Sequence, residues 1–495
     1  MLAHIDPRLI ITVVLIYFIA LLIVAYYTSR QSDNDTFFIG NKKSNWLLVA
    51  FGMIGTSLSG VTFISVPGTV GASAFGYFQI VLGYFLGYFV VAFVLLPLYY
   101  RLQLTSIYTY LLQRLGEISY KTGASFFILS RTLGATGRLF IAINVLQLFV
   151  FQYVGMSFIM STFLILVMIL LYTIRGGVKT IVWTDTLQTI FMLLGLVTCL
   201  IFIIQQLGLT FTEALFAFND AGYTKVFNFD PLHKGFFLKS IIGGALTTLT
   251  MTGLDQEMMQ KNISVRTLGD SQKNMLSFSI VLVIVNFLFL MLGAALALYA
   301  IKNNLLVEGK PLSGDNLFPT VALQHAPGIV SLIFIIGLIS ALFPSADGAL
   351  TALTSSTCID LLDFNKRTNK SEQQKKSIRI KVHLAFTLLF FILVLLFKWI
   401  DDKSIIDLIL KIASFTYGPL LGLFAFGMIT NKKVNEPLVP LVCILSPILC
   451  FIFDKYASKI IAGYTCGLEI LLINGTITFI GLCIISLTHK EKSAA

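Results

Sequence analysis

Two glycine- and hydroxyl-rich segments stand inside otherwise apolar stretches of this 495-residue chain, at residues 52–62 (GMIGTSLSGVT) and 243–253 (GGALTTLTMTG). A helix that breaks within the first segment would expose the backbone carbonyls of Gly55 and Leu58. Exposed carbonyls, together with nearby hydroxyls, are the oxygen ligands that a hard cation such as sodium prefers. The alternative is that the small residues only allow close packing between helices.

A third segment, residues 340–349 (SALFPSADGA), carries further oxygen atoms and a proline. Pro344 has no backbone N–H, which frees the carbonyl one turn earlier, near Ser340. Ala341 contributes a carbonyl, Ser345 a hydroxyl and Asp347 a carboxylate. With the carbonyls of the first segment, these groups predict a sodium site between two interrupted helices. A simple proline kink, with the serines bonded to their own helix, is the alternative.

Charged residues inside apolar stretches are costly, and they are functional candidates by default. Asp185, within residues 183–188 (WTDTLQ), and Asp347 would form a site for a cation or a proton if their helices face each other. The guanidinium of Arg138 can clamp a substrate carboxylate through two hydrogen bonds. Alternatively, the aspartates form structural salt bridges with Arg131 or Arg138.

The composition places the chain in a lipid bilayer. Hydrophobic residues make up 57% of the chain and charged residues 12%, with a mean hydropathy of +0.88, which is more apolar surface than a soluble fold buries. The net charge of +11 comes from Lys and Arg in short loops, which indicates topology rather than nucleic-acid binding. The cysteines and histidines lack metal-ligand spacing, and the chain has no P-loop, nucleophile elbow or dinucleotide fingerprint. We therefore expect no enzyme, no cofactor and no metal other than sodium.

Apolar runs of about 20 residues, the length that a spanning helix needs, recur thirteen times, so the two termini lie on opposite sides of the membrane. Loops on the side of the C-terminus hold 22 Lys and Arg, against 10 on the other side. The positive-inside rule then predicts a plasma-membrane protein with its N-terminus outside and its C-terminus in the cytoplasm. The predicted spans are residues 8–29, 45–65, 74–100, 123–150, 154–175, 181–205, 236–258, 274–302, 327–362, 378–399, 403–430, 436–454 and 466–488.

The first two oxygen-rich segments lie five spans apart, which is the layout of an inverted repeat. Because five is odd, two consecutive five-helix units that begin at these segments have opposite orientations in the membrane. We expect repeat one at residues 45–205, and an extracellular segment with repeat two at residues 206–430. Residues 1–44 are predicted to form a peripheral first helix and loop, and residues 431–495 two peripheral helices and a short cytoplasmic tail. The long connections 206–235 and 303–326 are predicted to form short extracellular helices or lids.

Several motifs together resemble those of the sodium:solute symporter family, whose members carry sodium with glucose, proline, iodide, pantothenate or sialic acid. The first is Arg175-Gly176-Gly177 followed by the Trp-Thr-Asp and Gln of residues 183–188. The others are residues 255–261 (DQEMMQK) and residues 418–424 (GPLLGLF). The resemblance covers nearly the full chain. It implies an all-α polytopic membrane protein of about thirteen helices, with the leucine-transporter-like fold of two inverted five-helix repeats.

The resemblance also implies two cation sites. A conserved sodium site lies between the first helix of repeat one and the third helix of repeat two, and its matching residues here are Gly55, Leu58, Ala341, Pro344 and Ser345. The family usually has a hydroxyl residue where this chain has Pro344, so one ligand is lost. Some members have a second sodium site nearer the cytoplasm, which matches Asp185, Asp347 and Gly348. The last two residues replace hydroxyl residues, so the added carboxylate either compensates for the missing ligand or permits proton coupling.

For the solute, Arg138 aligns with the arginine that the sialic acid members use to bind the substrate carboxylate. Ser57, Ser59 and Thr62 align with their hydroxyl positions, and Gln79 lies two residues from the position where they have a glutamine. The resemblance therefore implies a sodium-coupled secondary active symporter that imports a small polar organic solute by alternating access. A carboxylate-bearing solute such as a sugar acid is favoured, and a neutral sugar, a polyol or a monocarboxylate is the alternative. An ion-selective channel or a transporter-like sensor is the alternative from another class.

Overall fold

The computed structural model describes residues 7–29, 37–38, 40–307, 310–364, 371–400 and 405–488, and most of them are helical. In this described part, the regular strands are a two-residue antiparallel pair, Leu306–Val307 with Lys310–Pro311. The helices are α1 Pro7–Ser29, α2 Trp46–Ser57, α3 Gly60–Ser73, α4 Tyr77–Val90, α5 Leu96–Arg101, α6 Thr109–Leu115, α7 Glu117–Phe149, α8 Phe158–Leu207, α9 Phe211–Asp220, α10 Phe237–Thr248, α11 Gln256–Ile263, α12 Leu268–Lys302, α13 Leu317–Thr320, α14 Gly328–Ser356, α15 Glu372–Ile400, α16 Ile405–Ile429, α17 Val439–Ile460 and α18 Ile470–Leu487.

The described residues contain nine helices long and apolar enough to cross a bilayer, or ten if the bent pair α10 and α11 forms one crossing. One of the nine, Gly60–Arg101, has 42 residues, about 63 Å of helix, which is twice the thickness of the hydrocarbon core. It turns at Ala74, whose φ is 50°, and so supplies two crossings. Shorter apolar helices complete the set, at Trp46–Ser57, which continues into α3, and at Phe158–Ile174 and Ser414–Ile429. The thirteen predicted crossings are confirmed.

Spans five and six are separate, as predicted, because α8 bends sharply at Gly177 (φ 53°, ψ −145°), between the apolar stretches Phe158–Ile174 and Gly176–Leu207. The predicted end of the seventh span was wrong. The seventh span does not end at residue 258, because α11 continues to Ile263 with all eight of its residues buried. Polar side chains in α11 made this stretch look like a loop, although neighbouring helices enclose it.

Both expected helix breaks are present. α2 ends at Ser57, after which Leu58 (φ −90°, ψ 79°) and Ser59 (φ −70°, ψ 171°) leave the helical conformation before α3 begins. α10 continues through a π-helical turn, Leu249–Gly253, and α11 then starts at a bend of 64°. The carboxylate of Asp255 accepts hydrogen bonds from the first amides of α11, which fixes where the new helix begins. The first break falls inside the predicted segment, and the second lies just after it.

The long helices hold the first break in place. α2 packs against α8, α12 and α14, and α14 also packs along α7 and α8. α1 packs against α8 and contacts α14, where the hydroxyl of Tyr17 accepts a hydrogen bond of 2.8 Å from Ser340 Oγ. The predicted outer connections contain α9 and α13, in agreement with the short helices expected there.

Candidate functional site

The end of α2 meets the middle of α14. A β-carbon added to Gly55 would lie 3.5 Å from Cγ of Pro344 and 2.5 Å from Oγ1 of Thr189. Leu58, Ala341 and Ser345 are buried. The structure therefore brings Gly55 next to Pro344, and the role of all five residues as a sodium site stays a prediction.

Several oxygen atoms at this junction lack their usual helical partners. The amide of Leu58 donates to the carbonyl of Ile54 at 2.8 Å, and beyond the break the amide of Phe63 donates to the carbonyl of Ser59 at 3.0 Å. Pro344 cannot donate to the carbonyl of Ser340. The hydroxyl of Ser345 donates to the carbonyl of Leu342 at 2.9 Å, which leaves its oxygen lone pairs for another partner. The junction thus offers neutral oxygen atoms to a hard monovalent cation.

The residues predicted to bind the solute lie on or beside α2, α3, α4 and α7. Arg138 projects from α7 and is partly buried, and Tyr84 of α4 and Tyr417 of α16 are among the groups that interact with it electrostatically. In the part of the chain that the structure describes, no carboxylate forms an ion pair with Arg138. The predicted alternative, a salt bridge from Arg138 to Asp185 or Asp347, is therefore not what the structure has.

The hydroxyl positions of the predicted pocket follow the first break. Ser59 is buried, whereas Ser57 and Thr62 are partly buried, and the hydroxyl of Tyr88 lies near Ser57 and two threonines of α10. Gln79 is in a different situation, because its side-chain amide donates to the carbonyls of Gly76 and Gly235 and its oxygen accepts from the amide of Asn228. Gln79 thus ties the connection after α9 to α4, and its role toward a solute stays a prediction.

Asp185 pairs with a residue that the sequence did not single out for it. Oδ2 of Asp185 accepts hydrogen bonds from Nζ of Lys261 at 2.7 Å and from Oγ1 of Thr56 at 3.1 Å. Lys261 also donates to Oγ1 of Thr56 at 2.5 Å. All three side chains are buried, so the ammonium joins α11 to α8 and to the last turn of α2.

The other predicted carboxylate, Asp347, accepts hydrogen bonds from the hydroxyl of Tyr172 at 2.7 Å and from the amide of Gly348 at 2.5 Å. Gly348 packs against the side chain of Glu257, since an added β-carbon would lie 2.2 Å from Oε1 of that carboxylate. The residues of the second predicted site are therefore close together, but two side chains of α11 are part of it.

Arg131 belongs to an ion-pair group that shares Glu257 with Lys261. Its guanidinium bonds Glu257 and lies 3.8 Å from Oδ2 of Asp255. The same Asp255 oxygen accepts a hydrogen bond from the hydroxyl of Tyr417 at 2.8 Å. These contacts join α7, α11 and α16, the elements nearest the predicted cytoplasmic end of the site.

Sequence reasoning missed Lys261 and Glu257 as site residues. Both lie in the segment 255–261, which was noted for its resemblance to a family motif, but Lys261 was counted with the cytoplasmic loops. The sequence did contain a signal, because Glu257 and Lys261 are four residues apart and would lie on the same face of a helix. From there each can bind a different partner. The partner Asp185 lies 76 positions away in the sequence, and no spacing rule connects the two.

The chain is similar to known transporters along nearly its whole length. A sequence profile of the Sodium:solute symporter family matches residues 37–437. The sodium/sialic acid symporter NanT of Aliivibrio fischeri is 24% identical over 447 residues, which are 86% of this chain and 83% of the relative. The sodium/sialic acid symporter SiaT of Proteus mirabilis is 23% identical over 482 residues, 93% of each chain.

A solved structure shows the same fold. It is a substrate-bound, outward-open state of a Na+-coupled sialic acid symporter that revealed a novel Na+ site. It matches with a TM-score of 0.83 at 20% identity and covers 97% of this chain and 98% of that one. The predicted leucine-transporter-like fold is confirmed.

Proposed function

Because this chain belongs to the sodium:solute symporter family, we propose that it imports a small carboxylate-bearing solute, such as a sugar acid, together with sodium. Transport runs by alternating access across the plasma membrane, with the N-terminus outside and the C-terminus in the cytoplasm. The solute binds Arg138 and the hydroxyl groups that follow the first helix break. Sodium binds the carbonyls of Gly55, Leu58 and Ala341 and the hydroxyl of Ser345.

The observation that carries the choice of solute is the guanidinium of Arg138, which forms no ion pair with a carboxylate among the residues that the structure describes. Burial of an arginine without a partner charge is unfavourable, and the nearest arginine of the same helix, Arg131, already has two carboxylates. A solute carboxylate would form an ion pair with the guanidinium of Arg138 through two parallel hydrogen bonds. The relatives NanT and SiaT are sodium/sialic acid symporters, and sialic acid is itself a sugar acid, which supports the same class of solute.

Coupling follows from the position of the first break. Gly55 and Leu58 of the sodium site alternate along the chain with Ser57 and Ser59 of the solute pocket, so one short stretch of backbone serves both. An ion that orders this stretch also orders the hydroxyls that receive the solute. The two ligands then strengthen each other by the same free energy, about 1–3 kcal/mol in coupled systems.

Thermal stabilisation of the purified protein tests this function. The panel contains sugars, sugar acids, amino acids and monocarboxylates, each with and without sodium, and each acid is paired with its methyl ester. Ligand binding raises the unfolding temperature by mass action. We expect at least one acid to stabilise the protein in sodium, its ester to have no effect, and the response to disappear in Arg138→Ala.

Arg138→Lys is the matched control for charge. It keeps a positive charge but loses the planar fork, so binding should weaken rather than disappear. A neutral sugar that stabilises wild type and Arg138→Ala equally would contradict the carboxylate proposal. Stabilisation by an acid that is indifferent to sodium would contradict the coupling.

A further inference from the structure

A lysine ammonium lies at the second predicted cation site. Nζ of Lys261 donates to a carboxylate oxygen of Asp185 and to the hydroxyl of Thr56, and it lies 3.6 Å from Oε1 of Glu257. The side chain of Lys261 is 2% exposed, so water does not replace these contacts. Lys261 therefore makes the kind of oxygen contacts that a bound sodium ion makes, and it carries the same charge.

The space for a hydroxyl ligand at this site is already filled. Oε1 of Glu257 occupies the position next to Gly348 that a serine side chain would need, at 2.2 Å from an added β-carbon. Asp347 likewise has a carboxylate where a hydroxyl ligand is expected. The expected hydroxyl ligands of a second ion are therefore absent at two positions, and side chains of α11 occupy the space instead.

We propose that Lys261 takes the place of a second sodium ion, so that the chain binds and carries one sodium ion per transport cycle. The ammonium neutralises Asp185 and holds the last turn of α2 through Thr56, next to the sodium ligand Gly55. This inference rests on the proposed sodium-coupled transport.

The test is the number of ²²Na+ ions bound per chain at saturation, measured on the purified full-length protein without solute. Wild type is expected to bind one. Lys261→Met keeps the length of the side chain but removes its charge, so both oxygens of Asp185 become available. Oε1 of Gln188, which is buried without a hydrogen-bond partner in the described part of the chain, lies one turn away. Lys261→Met is therefore expected to bind two ions.

Two variants serve as controls. Lys261→Arg keeps the charge and should bind one ion. Lys398→Met removes a lysine from α15, outside the site, and should also bind one. Two ions bound to wild type, or one bound to folded Lys261→Met, would overturn the inference and leave sodium-coupled transport intact. Binding of no sodium to wild type would overturn the proposed function itself, so the two failures are distinguishable.

Discussion

At the scale of single residues, the proposed first sodium site depends on a position without a side chain. Gly55 faces Thr189 of α8, whose hydroxyl donates to the carbonyls of Phe51 at 2.9 Å and Asp185 at 2.7 Å. These two bonds hold the hydroxyl in place. A side chain at position 55 would therefore push α2 away from α8 and move the carbonyls that the sodium ion needs.

Gly55→Ala tests this dependence. The added methyl carbon would lie 2.5 Å from Oγ1 of Thr189, well inside contact distance, so the carbonyl of residue 55 must shift. We expect the sodium concentration for half-maximal thermal stabilisation to rise by about tenfold or more, since a loss of about 1.4 kcal/mol corresponds to a factor of ten.

Gly71→Ala is the matched control, because that glycine of α3 has open space around it. It should bind sodium like wild type. Removal of the obstructing hydroxyl in Gly55→Ala with Thr189→Ala should restore part of the affinity. Unchanged sodium affinity in Gly55→Ala would rule out a close approach of α2 to α8 as a requirement of the site.

At the scale of elements, α11 is a short helix that connects both halves of the molecule through charges. Glu257 forms an ion pair with Arg131 of α7, and Lys261 forms an ion pair with Asp185 of α8. Asp255, at the start of α11, accepts a hydrogen bond from the hydroxyl of Tyr417 of α16. In the predicted division of the chain, α11 belongs to repeat two and its partners α7 and α8 belong to repeat one. We therefore expect these contacts to close the predicted cytoplasmic end of the site and to separate when it opens toward the cytoplasm.

Glu257→Gln should weaken this closure. The change removes the nearer of the two buried carboxylates that face Arg131 and leaves Asp255 at 3.8 Å, so we expect a cost of about 3 kcal/mol, at the lower end for a broken buried pair. We expect the free energy of local opening across residues 256–263, measured by hydrogen–deuterium exchange, to fall by about that amount.

Glu372→Gln provides the comparison at an exposed pair. Glu372 bonds Lys375 at 3.1 Å on α15 and is 71% exposed, so its loss should change stability by less than about 1 kcal/mol. Equal exchange across α11 in wild type and Glu257→Gln would show that the ion pair does not hold the helix closed.

At the scale of the whole molecule, the sequence predicted the crossings and the two breaks because hydropathy and glycine-rich composition are local signals. It also indicated the approach of Gly55 to Pro344, whereas the sodium-binding role of these residues stays a prediction. It did not predict the pairing of Lys261 with Asp185 or the packing of Glu257 on Gly348, because these contacts depend on how distant helices are placed.

The orientation in the membrane is a prediction for the whole molecule. Because 22 basic residues lie on the side of the C-terminus and 10 on the other, we expect the N-terminus outside and the C-terminus in the cytoplasm. Protease added to right-side-out vesicles should remove an epitope fused to the N-terminus and leave a C-terminal one intact. Inside-out vesicles should give the reverse, and the opposite pattern in both preparations would show that the chain is inserted upside down.

The ammonium of Lys261 beside Asp185 has a further consequence for bioenergetics. A tethered charge returns with the empty carrier, so it adds nothing to the current over a complete cycle. One sodium ion and a solute with one carboxylate then cross as an electroneutral pair, and membrane voltage does no work on their passage. Uptake would continue in a depolarised cell, but the solute ratio across the membrane could rise no higher than the sodium ratio.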